Sequence, residues 1–135
     1  MKIKLKMKFI KRQIFYWLPV YVYMVLIFYF SSDVVSGIAG IGGGFNYISY
    51  LKHLIEYSIL GVLFYRGFFN SKFKKKSFNL SLILASLYGL SDEVHQYFVP
   101  GRICSSVDFG VDVVGVVIGI LIIRRFYKFL ASTKK

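Results

Sequence analysis

Cysteine is almost missing from this chain of 135 residues. Cys104 stands alone, which excludes an internal disulfide. Acidic residues are scarce as well: six Asp and Glu face 18 Lys and Arg, for a net charge of +12. Such a charge raises nucleic acid as a partner, but its distribution argues against it. Nucleic-acid binders set Lys and Arg along one folded face, interleaved with acids and aromatics. Here the basic residues stand in blocks at the two ends and in one middle loop, with long apolar runs between them. Those blocks match cytoplasmic loops beside anionic lipid, and no nucleic acid is expected. The glycine run Gly40, Gly42, Gly43 and Gly44 lacks the Gly-Lys-Ser/Thr that would make it a phosphate-binding loop, and reads as a flexible loop or re-entrant turn. Internal repeats and linkers are missing too, so one domain is expected.

What fills the chain is apolar. Hydrophobic residues make up 56% and aromatics 19%, with a mean hydropathy of +0.59, against roughly 45–50% apolar in a soluble domain. A water-exposed ball of this size has too little interior for that surface, and the bilayer is the natural solvent. A membrane span needs about 20 mostly apolar residues. Four segments qualify, near Ile14–Phe30, Leu51–Phe69, Phe78–Val99 and Val107–Ile123. The first follows a basic stretch and precedes small residues, as a signal peptide does, but it exceeds a usual signal core and is expected to be retained.

Orientation follows from Lys and Arg. Lys2, Lys4, Lys6, Lys8, Lys11 and Arg12 precede the first segment. Arg66, Lys72, Lys74, Lys75 and Lys76 surround the second connection, and Arg124, Arg125, Lys128, Lys134 and Lys135 follow the last segment. The first and third connections hold only Lys52 and Arg102. The positive-inside rule then predicts an all-α integral membrane protein in the cell membrane, a four-transmembrane-helix bundle with N and C termini cytoplasmic. Its parts would be a basic N-terminus (1–13), the transmembrane domain (14–123) and a basic C-terminus (124–135). Gly115 and Gly119 form a small-x-x-x-small stripe suited to close helix packing, and Phe15, Tyr16 and Trp17 suit an interfacial belt.

The acids are Asp33, Glu56, Asp92, Glu93, Asp108 and Asp112, and none falls in the basic blocks. At about 1.5 Å rise per residue, Glu56, Asp92, Glu93 and Asp112 share a level roughly 6–10 Å below the outer ends of their segments. His53 and Glu56 share a helix face, as do Asp92 with His95 and Gln96, Glu93 with Gln96, and Asp108 with Asp112. Arg102 sits in the short connection between the third and fourth segments. An inward-facing pocket of acids, two histidines, an amide and an arginine is therefore expected near the outer face. Ionisable groups inside a membrane are costly and point to function by default. Interhelical hydrogen bonds, worth about 0.6–2 kcal/mol each, account for one or two such acids but not for four at one depth.

Two stretches carry a resemblance. Lys52-His53-x-x-Glu56-Tyr57-x-x-Leu60-Gly61 resembles the second-span motif of VanZ-like membrane proteins. Ser91-Asp92-Glu93-x-His95-Gln96-x-Phe98-x-Pro100-Gly101-Arg102 resembles their third-span signature. Asp108, Asp112 and Gly115 continue the pattern, and Ser31-Ser32 resembles the end of their first span. The family is named for a protein associated with resistance to the glycopeptide teicoplanin. Comparative arguments set it beside enzymes that exchange or cleave lipid head groups, phosphatidylserine synthases among them.

The resemblance implies chemistry on a phosphate-linked lipid head group or a lipid-linked cell-envelope precursor, with membrane lipid as the partner. Glu56, Asp92, Glu93 and Asp112 would serve as general base or hold a divalent cation, Mg2+ or Ca2+. His95 or His53 would act as nucleophile or proton carrier, and Arg102 would grip phosphate, with His53, Gln96 and Asp108 also contacting substrate. A binding protein that captures a lipid-linked precursor or an antibiotic without turnover is the alternative. A cation or proton pathway fits less well, because Val113–Ile123 carries no polar side chain.

Overall fold

The computed structural model describes residues 2–32 (2–9 as backbone), 47–100, 102 and 104–133. Asp33, the glycines at 40 and 42–44, Gly101 and the final two lysines lie outside the described residues. Four α-helices account for most of the rest: α1 (Lys2–Ser31), α2 (Tyr47–Phe69), α3 (Ser77–Tyr97) and α4 (Ser106–Ser132). A short 3-10 turn, Lys74–Lys76, leads directly into α3.

The chain is all-helical among the described residues, and each apolar segment read from the sequence lies within a helix except the last two residues of the third. The helices outrun the segments where charge begins. α1 starts at Lys2 rather than near Ile14, and α4 continues to Ser132 rather than stopping near Ile123. Hydropathy falls at the first lysines and arginines, but these are good helix formers, so the backbone has no reason to stop there. α1 also runs through Pro19, whose missing N–H leaves the Phe15 carbonyl without its helical donor. At the other end of the chain, Ser105 is extended and its hydroxyl accepts the Asp108 N–H at 3.3 Å, which caps α4. α3 ends before Pro100, which cannot continue it.

α2 is the hub. Its partner α4 approaches so closely that backbone meets backbone: a Cβ on Gly115 would stand 2.6 Å from the Leu54 carbonyl oxygen, and one on Gly61 2.6 Å from that of Val116. The Ser58 hydroxyl donates both to Leu54 O (2.7 Å) and across to Gly115 O (3.0 Å), tying the two helices together. α3 packs on both through Gly89, where a Cβ would meet the Tyr57 ring at 3.1 Å and an Asp112 oxygen at 3.3 Å. α1 leans on α2 through Trp17, which packs edge-on against Phe64 and Phe68, and on α3 through Tyr88, whose hydroxyl donates to Met24 O. Val20, Ile27, Tyr57, Leu60, Phe64, Ala85, Val116 and Ile120 fill the core between them.

Polarity is inverted relative to a soluble protein. His53, Asp92, Glu93, Gln96 and Asp112 are buried, while Leu18, Val25, Ile83, Leu87, Ile118 and Ile122 are exposed. α1 from Ile10 to Ser31 and α4 are long and apolar enough to cross a membrane, with mean hydropathies of 1.7 and 2.3. α3 carries most of the buried polar residues, which dilute its apolar signal, while Lys52, His53, Glu56 and Arg66 dilute that of α2. The pattern is compatible with a membrane protein.

Candidate functional site

The polar residues gather between the N-terminal halves of α2 and α4 and the C-terminal half of α3. His53 of α2 reaches α4, its Nδ1 3.0 Å from Oδ1 of the fully buried Asp112. One turn earlier on α4, Asp108 comes to the same place. Glu93 enters from α3, and one ligating atom from each of His53, Glu93 and Asp108 lies within 4.8 Å of the other two. Glu93 Oε2 accepts the Ser105 backbone N–H at 2.8 Å, so the cap of α4 also fixes the carboxylate of α3. The remaining oxygens Glu93 Oε1, Asp108 Oδ1 and Asp112 Oδ2 are buried and have no hydrogen-bond partner among the described residues.

The other expected residues are nearby but turned elsewhere. Asp92 and Gln96 form a buried pair along α3, Gln96 Nε2 donating to Asp92 Oδ2 at 3.1 Å. His95 faces α1, where its Nε2 lies 2.9 Å from the Ser32 hydroxyl and its ring stacks on Phe28 at 4.2 Å. Arg102 reaches the end of α1 and donates from Nη2 to Phe30 O at 3.2 Å. That carbonyl is one of the helix-end groups that has no donor within the helix. Glu56 stays partly exposed, 3.9 Å from Lys52 on its own helix.

So the residues expected in one pocket fall into two groupings. His53, Glu93, Asp108 and Asp112 are together, whereas Glu56, His95 and Arg102 belong to contacts around α1 or to the rim. The expected metal set of Glu56, Asp92, Glu93 and Asp112 is not the set whose ligating atoms converge. Glu56 shares a face with His53 by spacing, but its carboxylate is partly exposed and lies 3.9 Å from Lys52 of its own helix.

The match to known proteins covers the same ground. Residues 7–128 match the VanZ/LLP1 family, a stretch containing every residue of the cluster. The chain belongs to that family. No curated protein and no solved structure matches it. In this VanZ/LLP1 chain the cluster has supports that charge and spacing alone did not single out. Ser105 precedes Asp108 by three, the serine-x-x-acid spacing of a helix start, and that signal was available in the sequence. Gly89, where an added Cβ would stand 3.3 Å from an Asp112 oxygen, gave no comparable signal.

Beside the cluster, the α2–α4 pair carries an open apolar groove of about 620 Å³ lined by Tyr50, Leu51, Leu54, Val107, Gly110, Val111 and Val114. It flanks the helix faces that hold His53 and Asp108.

Proposed function

We propose that this VanZ/LLP1 chain crosses the cell membrane four times, with both termini in the cytoplasm, and acts on phosphate-linked lipid head groups or lipid-linked cell-envelope precursors at the outer leaflet. The observation that carries the reading is the inverted polarity: a charged cluster sealed among helices whose outward faces are apolar. Membrane helices keep ionisable groups inside only where those groups pair, meet water or serve a ligand. The groove along α2 and α4 supports lipid as that ligand, since an acyl chain lying there would bring its head group to the cluster.

In this reading Glu93 is the general base, with one oxygen held by Ser105 and the other directed to substrate. His53, oriented by Asp112, carries the proton. Arg102 releases the Phe30 carbonyl to bind phosphate bidentately as substrate enters. Asp92, Gln96 and His95 shape the α3 wall, and Glu56 stands at the rim. Resistance to glycopeptides such as teicoplanin would follow if the altered lipid is the antibiotic's cell-surface partner.

Topology is testable without mutation, because Cys104 is exposed and lies in the connection assigned to the outside. A membrane-impermeant maleimide is expected to label Cys104 in intact cells. A Cys104→Ser, Ser132→Cys chain should label only after permeabilisation. The reverse pattern would invert the orientation.

Activity is tested by the lipid profile of cells expressing wild type or Glu93→Gln at matched levels. Wild type should change one head-group class or one lipid-linked precursor. Loss of a general base should lower that conversion about a hundredfold or more, so that the variant matches an empty vector. If Glu93→Gln changes the lipid profile as much as wild type, Glu93 is not the base. If wild type itself matches the empty vector, the enzyme reading fails and binding without turnover takes its place.

A further inference from the structure

We propose that His53, Glu93 and Asp108 form a binding site for a divalent first-row transition-metal ion of the Zn2+ or Mn2+ type, with Asp112 as the residue that positions His53. The trio comes from three different helices, yet its ligating atoms lie within 4.8 Å of one another. Donors around a tetrahedral ion at about 2.0–2.2 Å are about 3.4 Å apart, so a bound ion would draw the set closer together. An independent observation points to a ligand. Glu93 is 2% exposed, one of its oxygens is held by Ser105, and the other is buried without a partner among the described residues. Asp108 Oδ1 is in the same condition.

Charge leads to the same conclusion. Glu93, Asp108 and Asp112 surround one imidazole, and among the described residues no Lys or Arg forms an ion pair with any of them. A divalent cation supplies the missing positive charge. The His53–Asp112 bond then has a specific purpose. Donation from Nδ1 to Asp112 fixes the tautomer and leaves Nε2 as the metal-binding nitrogen, the carboxylate–histidine–metal arrangement. One imidazole with two carboxylates suits ions of intermediate softness and argues against Ca2+ and Mg2+, which take all-oxygen sets. Three protein ligands also leave a coordination position open, as in catalytic rather than structural sites.

A bound ion would hold Glu93 Oε1 and His53 Nε2 as ligands, in place of the base and proton-carrier roles proposed above for the metal-free protein. The site does not depend on lipid turnover, and its test reads binding alone. The full chain in detergent would be titrated with Co2+, whose visible absorption reports its ligands, and the Co2+ then displaced with Zn2+ or Mn2+. One equivalent should bind, and Ca2+ or Mg2+ should fail to displace it. Glu93→Gln and His53→Gln, chosen to conserve volume, should each weaken binding at least a hundredfold, and His53→Gln should also shift the Co2+ bands. Asp112→Asn should lower affinity about ten- to a hundredfold without changing the band positions, the signature of a residue that orients a ligand. Gel filtration confirms that each variant is folded. Failure of the folded wild type to take up Co2+, Zn2+ or Mn2+ overturns the site, as does equal uptake by folded His53→Gln and Glu93→Gln. Either result leaves the head-group reading to its own lipid assay.

Discussion

Replacing Gly119 with leucine is expected to leave no folded protein. A Cβ at this position would stand 2.0 Å from the Ser58 carbonyl oxygen, 2.8 Å from its carbon and 3.0 Å from its Cα. All three are backbone atoms of α2, so no side-chain rotation relieves the clash. α2 and α4 would have to separate, breaking the hydrogen bond from Ser58 to Gly115 O and drawing His53 away from Asp112. Overpacking a well-filled core costs about 1–3 kcal/mol even where neighbours can yield. A rigid backbone neighbour makes the cost larger, against a total stability on the order of 5–15 kcal/mol. The measurement is accumulation and gel-filtration profile in detergent. Gly110→Ala, on the same helix with nothing within 4 Å of its new Cβ, is the matched control and should behave as wild type. A monodisperse Gly119→Leu protein with wild-type melting would mean that α2 and α4 do not meet in this way.

This contact shows what a sequence reveals and what it withholds. Gly115 and Gly119 announce a close-packed face by their spacing, but spacing does not name the helix across from them; it is α2, through Leu54 and Ser58. The four helices were legible because long apolar runs and blocks of Lys and Arg are one-dimensional signals. The helix ends were less so. Lys and Arg mark where hydropathy drops, whereas the backbone stops only where a cap or a proline intervenes, as at Ser105 and Pro100.

The site divides in the same way. The residue types and their level follow from counting turns, and the structure brings His53, Glu93, Asp108 and Asp112 together. Counting turns does not fix rotation about each helix axis. Glu56 is expected at the common level and His95 in the same pocket, yet they face Lys52 and Ser32. Rotation is set by interhelical packing, above all by which glycines let which backbones touch. In α2 and α3 the polar residues also lower the apolar character by which a span is recognised, so polarity there obscures the fold.

Filling the α2–α4 groove with Gly110→Leu is expected to abolish the lipid change while leaving fold and metal uptake intact. Gly110 is exposed, lines the groove, and has open space where a side chain would begin. Leucine is the better helix former by up to about 0.8 kcal/mol, so α4 should not suffer. Its side chain would extend over Val107, Val111 and Val114, where the acyl chain of a substrate is proposed to lie. None of the cluster residues is touched, so Co2+ affinity and its absorption bands should be those of wild type. Conversion should fall about a hundredfold, the scale on which misplacing a substrate by an ångström acts. Gly110→Ala, which occupies only the mouth of that space, should retain most of the activity. The pair of variants separates access from chemistry: Glu93→Gln fails with an open groove, Gly110→Leu fails with an intact cluster. Full activity in Gly110→Leu would mean that substrate reaches Glu93 by another face, and the α1–α3 seam, where Ser32 meets His95, would be the next to test.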